Sequence, residues 1–214
     1  MSTGTISAAA LQYFESKGIQ LILEEAMHDL VLEMPEDPLV FLEEAFRRPT
    51  PVHVIIIGPC GSGKTTLAAT LAAHYGVTHV AATPAVAGDM VMPADVLGEL
   101  KRLQKDGRGW VLDGFPQTRA DAIQLQTSGI SPQHVFELQI PASVALERAT
   151  ASAADPSKHT EEPTAIAKNY EHYEVRRIEI TTSYQHCYRG VDATVSAEEV
   201  AAEVMKTIDA FQRM

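Results

Sequence analysis

Eight consecutive residues, Gly58-Pro59-Cys60-Gly61-Ser62-Gly63-Lys64-Thr65, fit the pattern G-x-x-x-x-G-K-[ST]. Chemistry follows from the residue types. Glycines let the backbone curl so that successive N–H groups point inward at phosphate oxygens. A helix starting at the end of the run adds the positive end of its dipole. Lys64 would reach the terminal phosphates, and a hydroxyl from Thr65 or Thr66 would help to hold Mg2+. Gly58, Gly61, Ser62, Gly63, Lys64, Thr65 and Thr66 are therefore the expected binding set for a phosphate chain. Cys60, inside the same loop, reads as a small filler of a crowded turn.

Such a loop needs a strand to enter it and a helix to leave it. VHVIIIG, from residue 52, reads as a buried strand, and LAATLAAHYG as a helix ending at Gly76. VTHVAA, WVLDG, HVFELQI and GVDATV are further strand candidates. The final helix is expected to start at Ser196, with Glu199 as its capping-box partner. Strand and helix alternate throughout, which implies a mostly parallel sheet covered on both faces. Tyr170, Tyr173, Tyr184 and Tyr188 recur at helical spacing and read as packing residues.

The 214 residues carry 45% hydrophobic side chains at a mean hydropathy of −0.05, enough for a globular core. Net charge is −11, from 17 basic and 28 acidic residues, and argues against a nucleic-acid partner. No apolar run reaches the roughly 18 residues that span a bilayer, so no membrane partner is expected. The N-terminus has neither a basic start nor a long apolar centre, and a secretory signal is not expected. Cys60 and Cys187 lack metal-ligand spacing and fit a reducing compartment.

The chain divides near Pro49-Thr50-Pro51, giving expected units at 1–48 and 49–214. Residues 1–48 hold Lys17, Arg47 and Arg48 against nine carboxylates. Ile19, Leu23, Ala26, Met27, Leu30 and Met34 form an apolar stripe on one helix. A shorter helical pattern, Ala9 to Lys17, precedes it. The run Met34-Pro-Glu-Asp-Pro38 breaks the long helix, and an amphipathic piece from Leu39 to Phe46 follows. About 48 residues are too few to bury a good core alone. Self-association or packing on the remainder is the expected remedy.

Residues 10–48 resemble the dimerisation/docking motif of the cyclic-AMP-dependent kinase regulatory subunit and its Dpy-30 relatives. Tyr13-Phe14, the helix around Leu30, the Pro35-x-Asp37-Pro38 break and Phe41-Leu42 carry the likeness. The resemblance implies a homodimer through residues 10–48, paired as a four-helix bundle with a groove for a protein partner's amphipathic helix. A helical cap on the chain's own core is the alternative.

From Val52 to the last helix the chain resembles adenylate kinase and other nucleoside monophosphate kinases. WVLDGFPQTRADA (residues 110–122) is similar to their DGFPRT segment, and HVFELQIPASVALERAT (134–150) to the strand and arginine-bearing helix that follow. This likeness implies an α/β P-loop fold in three layers, with a central five-stranded parallel sheet, which the small helical N-terminal unit precedes. It also implies ATP and Mg2+ as cofactors and a nucleoside monophosphate as acceptor. Asp113 would organise Mg2+ through water, with Thr65 as the other metal-side residue. Arg148 would lie against the ATP base and phosphates, and Lys64, Arg148 and Lys158 would form the catalytic set.

The sequence also departs from that family. Gln117 stands where an arginine grips the acceptor phosphate, and Asp121 where a glutamine reads the acceptor base. Residues 82–108 leave little room for the acceptor arm, with no arginine before Arg102. Ser152, Lys158 and Asn169 occupy the downstream arginine positions, and lysine lacks the planar fork that grips two oxygens. One arginine finger can contribute roughly 10³ to 10⁵ in rate. The expectation is ATP binding with impaired phosphoryl transfer. A catalytically inactive nucleotide-binding scaffold is the alternative, and a phosphotransferase or hydrolase acting on a smaller acceptor is a third. The expected location is the cytoplasm, with a flagellum or cilium suggested by family analogy.

Overall fold

His53, Val54, Ile55, Ile56 and Ile57 are all buried, as a strand covered on both faces requires. This is β1 of a computed structural model that describes residues 7, 13, 19–47, 51–81, 94–152 and 163–212. Contacts group the chain into one unit of residues 51–206 and another that takes in the N-terminal helices with the chain's end from Thr207.

In the larger unit β1 (His53–Ile57) runs into α3 (Lys64–Tyr75), then β2 (Thr78–Ala81), α4 (Ala94–Lys105), β3 (Trp110–Asp113) and α5 (Arg119–Thr127). After these come β4 (His134–Gln139), α6 (Ala142–Ser152), α7 (Pro163–Ser183), β5 (Tyr188–Asp192) and α8 (Ala197–Gln212), whose residues from Thr207 on group with the other unit. The five strands form one parallel sheet in the order β2-β3-β1-β4-β5. The connections from β1 and β4 depart in opposite directions. The crevice at their carboxyl ends is therefore a topological switch point, where open α/β sheets receive ligands. Ile55, Ile57, Leu100, Leu103, Trp110, Leu112, Leu125, Val135, Ile180 and Tyr184 form the core that holds this end in place.

The start of α8 follows the capping chemistry of the sequence. Ser196 and Glu199 exchange hydrogen bonds, with Ser196 N donating to Glu199 Oε2 at 3.1 Å and Glu199 N to Ser196 Oγ at 3.3 Å. The last strand lies earlier than GVDATV suggests, at Tyr188–Asp192. Asp192 Oδ1 accepts from Thr194 N at 2.9 Å and from Thr194 Oγ1 at 2.7 Å, a local turn that ends the ladder.

In the N-terminal unit α1 (Ile19–Glu33) and α2 (Pro38–Arg47) pack on each other. Asp37 Oδ1 accepts from Leu39 N and Val40 N at 3.0 and 3.1 Å, capping α2 with Pro38 in its first turn. Of the expected α1 stripe, Ala26 is buried, whereas Leu23, Met27 and Met34 are exposed. Val31 at 67% and Leu39 at 77% exposure extend this open apolar surface. The expected helix at Ala9 to Lys17 lies outside the described residues apart from Tyr13. No helix among the described residues is long and apolar enough to cross a membrane.

Candidate functional site

The loop from Gly58 to Gly63 needs glycine at two positions above all. Gly61 has φ +78°, and a Cβ there would lie 2.5 Å from the Ala145 carbonyl oxygen of α6. Gly58, at φ +153°, has the Leu138 carbonyl oxygen 2.9 Å and Ser62 Oγ 2.8 Å from a Cβ position. Both carbonyls are backbone and cannot step aside, so the loop is seated against β4 and α6. Gly63, at φ +90°, faces open space and leads into α3. No side chain caps that helix, so its first N–H groups and dipole remain available to an anion.

Ser62 is buried, and its Oγ has no hydrogen-bond partner among the described residues. Lys64 Nζ donates to the Pro59 carbonyl at 2.8 Å, folded across its own loop. Burial pushes the Lys64 ammonium below the ordinary lysine range, opposed by the charges of Asp113 and then Cys60. Thr65 and Thr66 are exposed at the start of α3. Cys60 is exposed at the lip of the loop, a correction to its reading as filler of a crowded turn.

The sheet brings Asp113 to the same place. It ends β3, level with Ile56 of β1 and Ala81 of β2. A Cβ on the following Gly114 would lie 3.8 Å from Lys64 Cε, so the strand end and the lysine stem are neighbours. Asp113 is 5% exposed, its carboxylate accepts no hydrogen bond among the described residues, and its charged or titratable neighbours are Lys64 and His79. Such a group is costly unless something cationic or hydrated meets it. The residues present therefore fit a hydrated Mg2+, held by Asp113 with a Thr65 hydroxyl, which would neutralise phosphate charge when bound.

Arg148 lies on α6 and turns toward the segment after β5. Its Nη1 donates to the Ala193 carbonyl at 2.6 Å and its Nη2 to the Thr194 carbonyl at 3.0 Å, which fixes the guanidinium plane. Lys158 lies outside the described residues, as do residues 82–93. Arg102 is on α4, bonded at the surface to Glu99 and Asp106.

Beyond Asp113, Gln117 and Asp121 are occupied with local structure. Gln117 Nε2 donates to the Gly114 carbonyl at 3.1 Å. Asp121 Oδ2 accepts from Gln117 N at 3.1 Å and Thr118 N at 2.9 Å, while Asp121 N donates to Thr118 Oγ1. Thr118 and Asp121 form the capping box of α5, and Asp121 is buried in that role. Arg119, between the two capping residues, is exposed.

Two groups beside the loop carry weaker sequence signals. Glu137 in β4 is 1% exposed and accepts from Tyr188 Oη at 2.6 Å, Tyr173 Oη at 2.7 Å, Gln139 Nε2 at 2.8 Å and Arg177 Nη1 at 3.2 Å. The tyrosines thus anchor a buried charge, and Tyr170 Oη donates to the Ile140 carbonyl at 2.8 Å. A lone carboxylate within the apolar run HVFELQI was the available signal. Glu137, Gln139, Tyr170, Tyr173 and Arg177 line a cleft of about 590 Å³ that reaches Pro59 of the loop. The second group is His79 in β2, whose Nε2 lies 3.4 Å from Asp113 Oδ2.

A glycine-lined loop at the carboxyl end of a five-stranded parallel sheet, with a lysine and a buried carboxylate beside it, defines a P-loop-like α/β fold. The curated relatives point the same way. The chain is 31% identical to adenylate kinase 8 of Homo sapiens over 167 residues and 32% identical to that of Rattus norvegicus, in each case 68% of this chain and 35% of the relative. It is 23% identical to an adenylate kinase of Trypanosoma brucei rhodesiense over 175 residues, 71% of this chain and 84% of that protein. The chain thus spans about a third of the length of the adenylate kinase 8 relatives. These likenesses support the adenylate kinase family. No family profile matches the chain.

Proposed function

We propose that this chain binds ATP with Mg2+ at the 58–65 loop and transfers its terminal phosphoryl group to a nucleoside monophosphate only feebly. The observation that carries this reading is an asymmetry within one site. On the donor side, the cradle, Lys64 and Asp113 stand together with an uncapped helix and a carboxylate lacking donors. On the acceptor side, Gln117 and Asp121 are committed to Gly114 and the α5 cap. Transfer depends on positioning and on charges around the moving phosphoryl group, so a half-built acceptor site lowers rate far more than ATP affinity.

Calorimetry with ATP and Mg2+, beside a coupled assay against AMP, CMP, UMP and dAMP, tests this. We expect binding that Lys64→Ala abolishes, with turnover about a thousandfold below the typical 10 s−1 or so. Ordinary kinase turnover with any of the four would overturn the impairment. Absence of binding would overturn the whole reading.

A second reading, a nucleotide-binding scaffold without transfer, is favoured by the apolar surface that α1 and α2 leave open. In this reading residues 10–48 form a homodimer that receives a partner's amphipathic helix, in a cytoplasmic, flagellar or ciliary assembly. Light scattering at micromolar concentration should then give twice the chain mass, and Met27→Glu should return a monomer, because a charge would enter the seam. A monomeric wild type would rule the dimer out.

A further inference from the structure

We propose that His79 is the positioning residue for Asp113, holding that carboxylate in the orientation from which it meets a hydrated divalent cation. This rests on the nucleotide-binding reading above and goes beyond it in naming what aims the metal-side carboxylate.

Register places the two groups together. In the parallel β2–β3 pair, Ala81 stands level with Asp113 and His79 with Val111, so both side chains share a face. The imidazole reaches forward along that face until Nε2 is 3.4 Å from Asp113 Oδ2, with side-chain exposures of 24% and 7%. Neither facing atom is held by a hydrogen bond. His79 Nε2 is buried without a hydrogen bond, and the Asp113 carboxylate has no donor among the described residues. The two are apposed but not bonded.

Each unsatisfied buried group costs free energy, and one small rotation of the carboxylate would satisfy both. His79, with its proton on Nε2, would donate to Oδ2 and leave Oδ1 free for a hydrated cation. An outer partner of this kind fixes the direction in which a carboxylate presents its free oxygen. Lys64, the other charged neighbour of Asp113, is turned to the Pro59 carbonyl and does not perform that task.

The test is calorimetric binding of a nonhydrolysable ATP analogue to the full chain, with and without Mg2+, for wild type, His79→Phe and His79→Gln. Gln offers an amide N–H close to where Nε2 lies, whereas Phe keeps the ring and loses the donor. We expect Mg2+ to tighten binding to wild type. His79→Phe should lose about ten- to a hundredfold of that gain while binding the metal-free analogue like wild type, with His79→Gln restoring most of it. If His79→Phe does not fold, His79→Asn takes its place, because its shorter amide does not reach Asp113.

An undiminished Mg2+ gain in His79→Phe overturns the proposal. So does an equal loss with and without metal, which marks a merely structural residue. If wild type binds the analogue but gains nothing from Mg2+, this proposal falls and the nucleotide-binding reading stands. If wild type does not bind at all, both fall.

Discussion

Gly61→Ala should abolish phosphate-chain binding while Gly63→Ala only weakens it. The two glycines sit two residues apart in one loop, and both have positive φ. At such angles an L side chain costs about 1–2 kcal/mol. The difference lies in what a methyl group would meet. At Gly63 nothing lies within 4 Å, whereas at Gly61 the Ala145 carbonyl oxygen is 2.5 Å away and its carbon 3.3 Å. That carbonyl belongs to α6 and does not move without the helix, so the loop must lift instead. A cradle of inward N–H groups tolerates little displacement. We therefore expect a loss of about a hundredfold or more for Gly61→Ala and about tenfold for Gly63→Ala, each tenfold being about 1.4 kcal/mol. Calorimetry with ATP reads both. Equal effects would show that φ strain decides the outcome and that the seat on α6 does not.

The second large effect belongs to stability. Glu137→Ala removes the acceptor of four donors and leaves Arg177 with Glu174, at 2.9 Å, as its remaining charged partner. Breaking a buried pair from one side costs about 3–5 kcal/mol. For a domain of this size that should lower the melting temperature by about 10 °C.

Burial alone raises the Glu137 carboxyl. Hydrogen bonds from Gln139, Tyr188 and Tyr173 and the Arg177 charge outweigh that and hold it below its ordinary value of 4.5. A depressed carboxyl stabilises the fold above the unfolded value and loses that contribution as pH falls through the folded one. The gap between wild type and Glu137→Gln should therefore be full at pH 7 and shrink below about pH 4.5. Denaturant titrations at both pH values measure it, and a pH-independent gap would sink the assignment.

How much of this was legible in the sequence varies by residue. The cradle was, because its chemistry is local: eight adjacent residues supply glycines, lysine and hydroxyls, and the flanking strand and helix carry their own periodicity. The α2 start was legible for the same reason, since Asp37 and Pro38 act within one turn. Glu137 was hidden, because its partners Tyr173, Arg177 and Tyr188 lie 36 to 51 residues downstream and only the fold gathers them. His79 was hidden by register, as nothing in VTHVAA says which strand will lie beside it. The end of the last strand falls short of the apolar run in the sequence because the Asp192 side chain diverts Thr194 from the ladder. On α1 the stripe was visible, but sequence alone did not reveal that Leu23, Met27 and Met34 remain open.

The central place of β1 has one more consequence. Flanked by β3 and β4, it cannot be altered without disturbing the middle of the sheet, so the strand that enters the 58–65 loop is kept by the architecture itself. The facing half hangs on a helix cap, which a Thr-x-x-Asp sequence maintains whether or not a second substrate ever arrives. Selection for folding alone would thus keep both the loop's supporting strand and the α5 cap in place, whatever binds beside them.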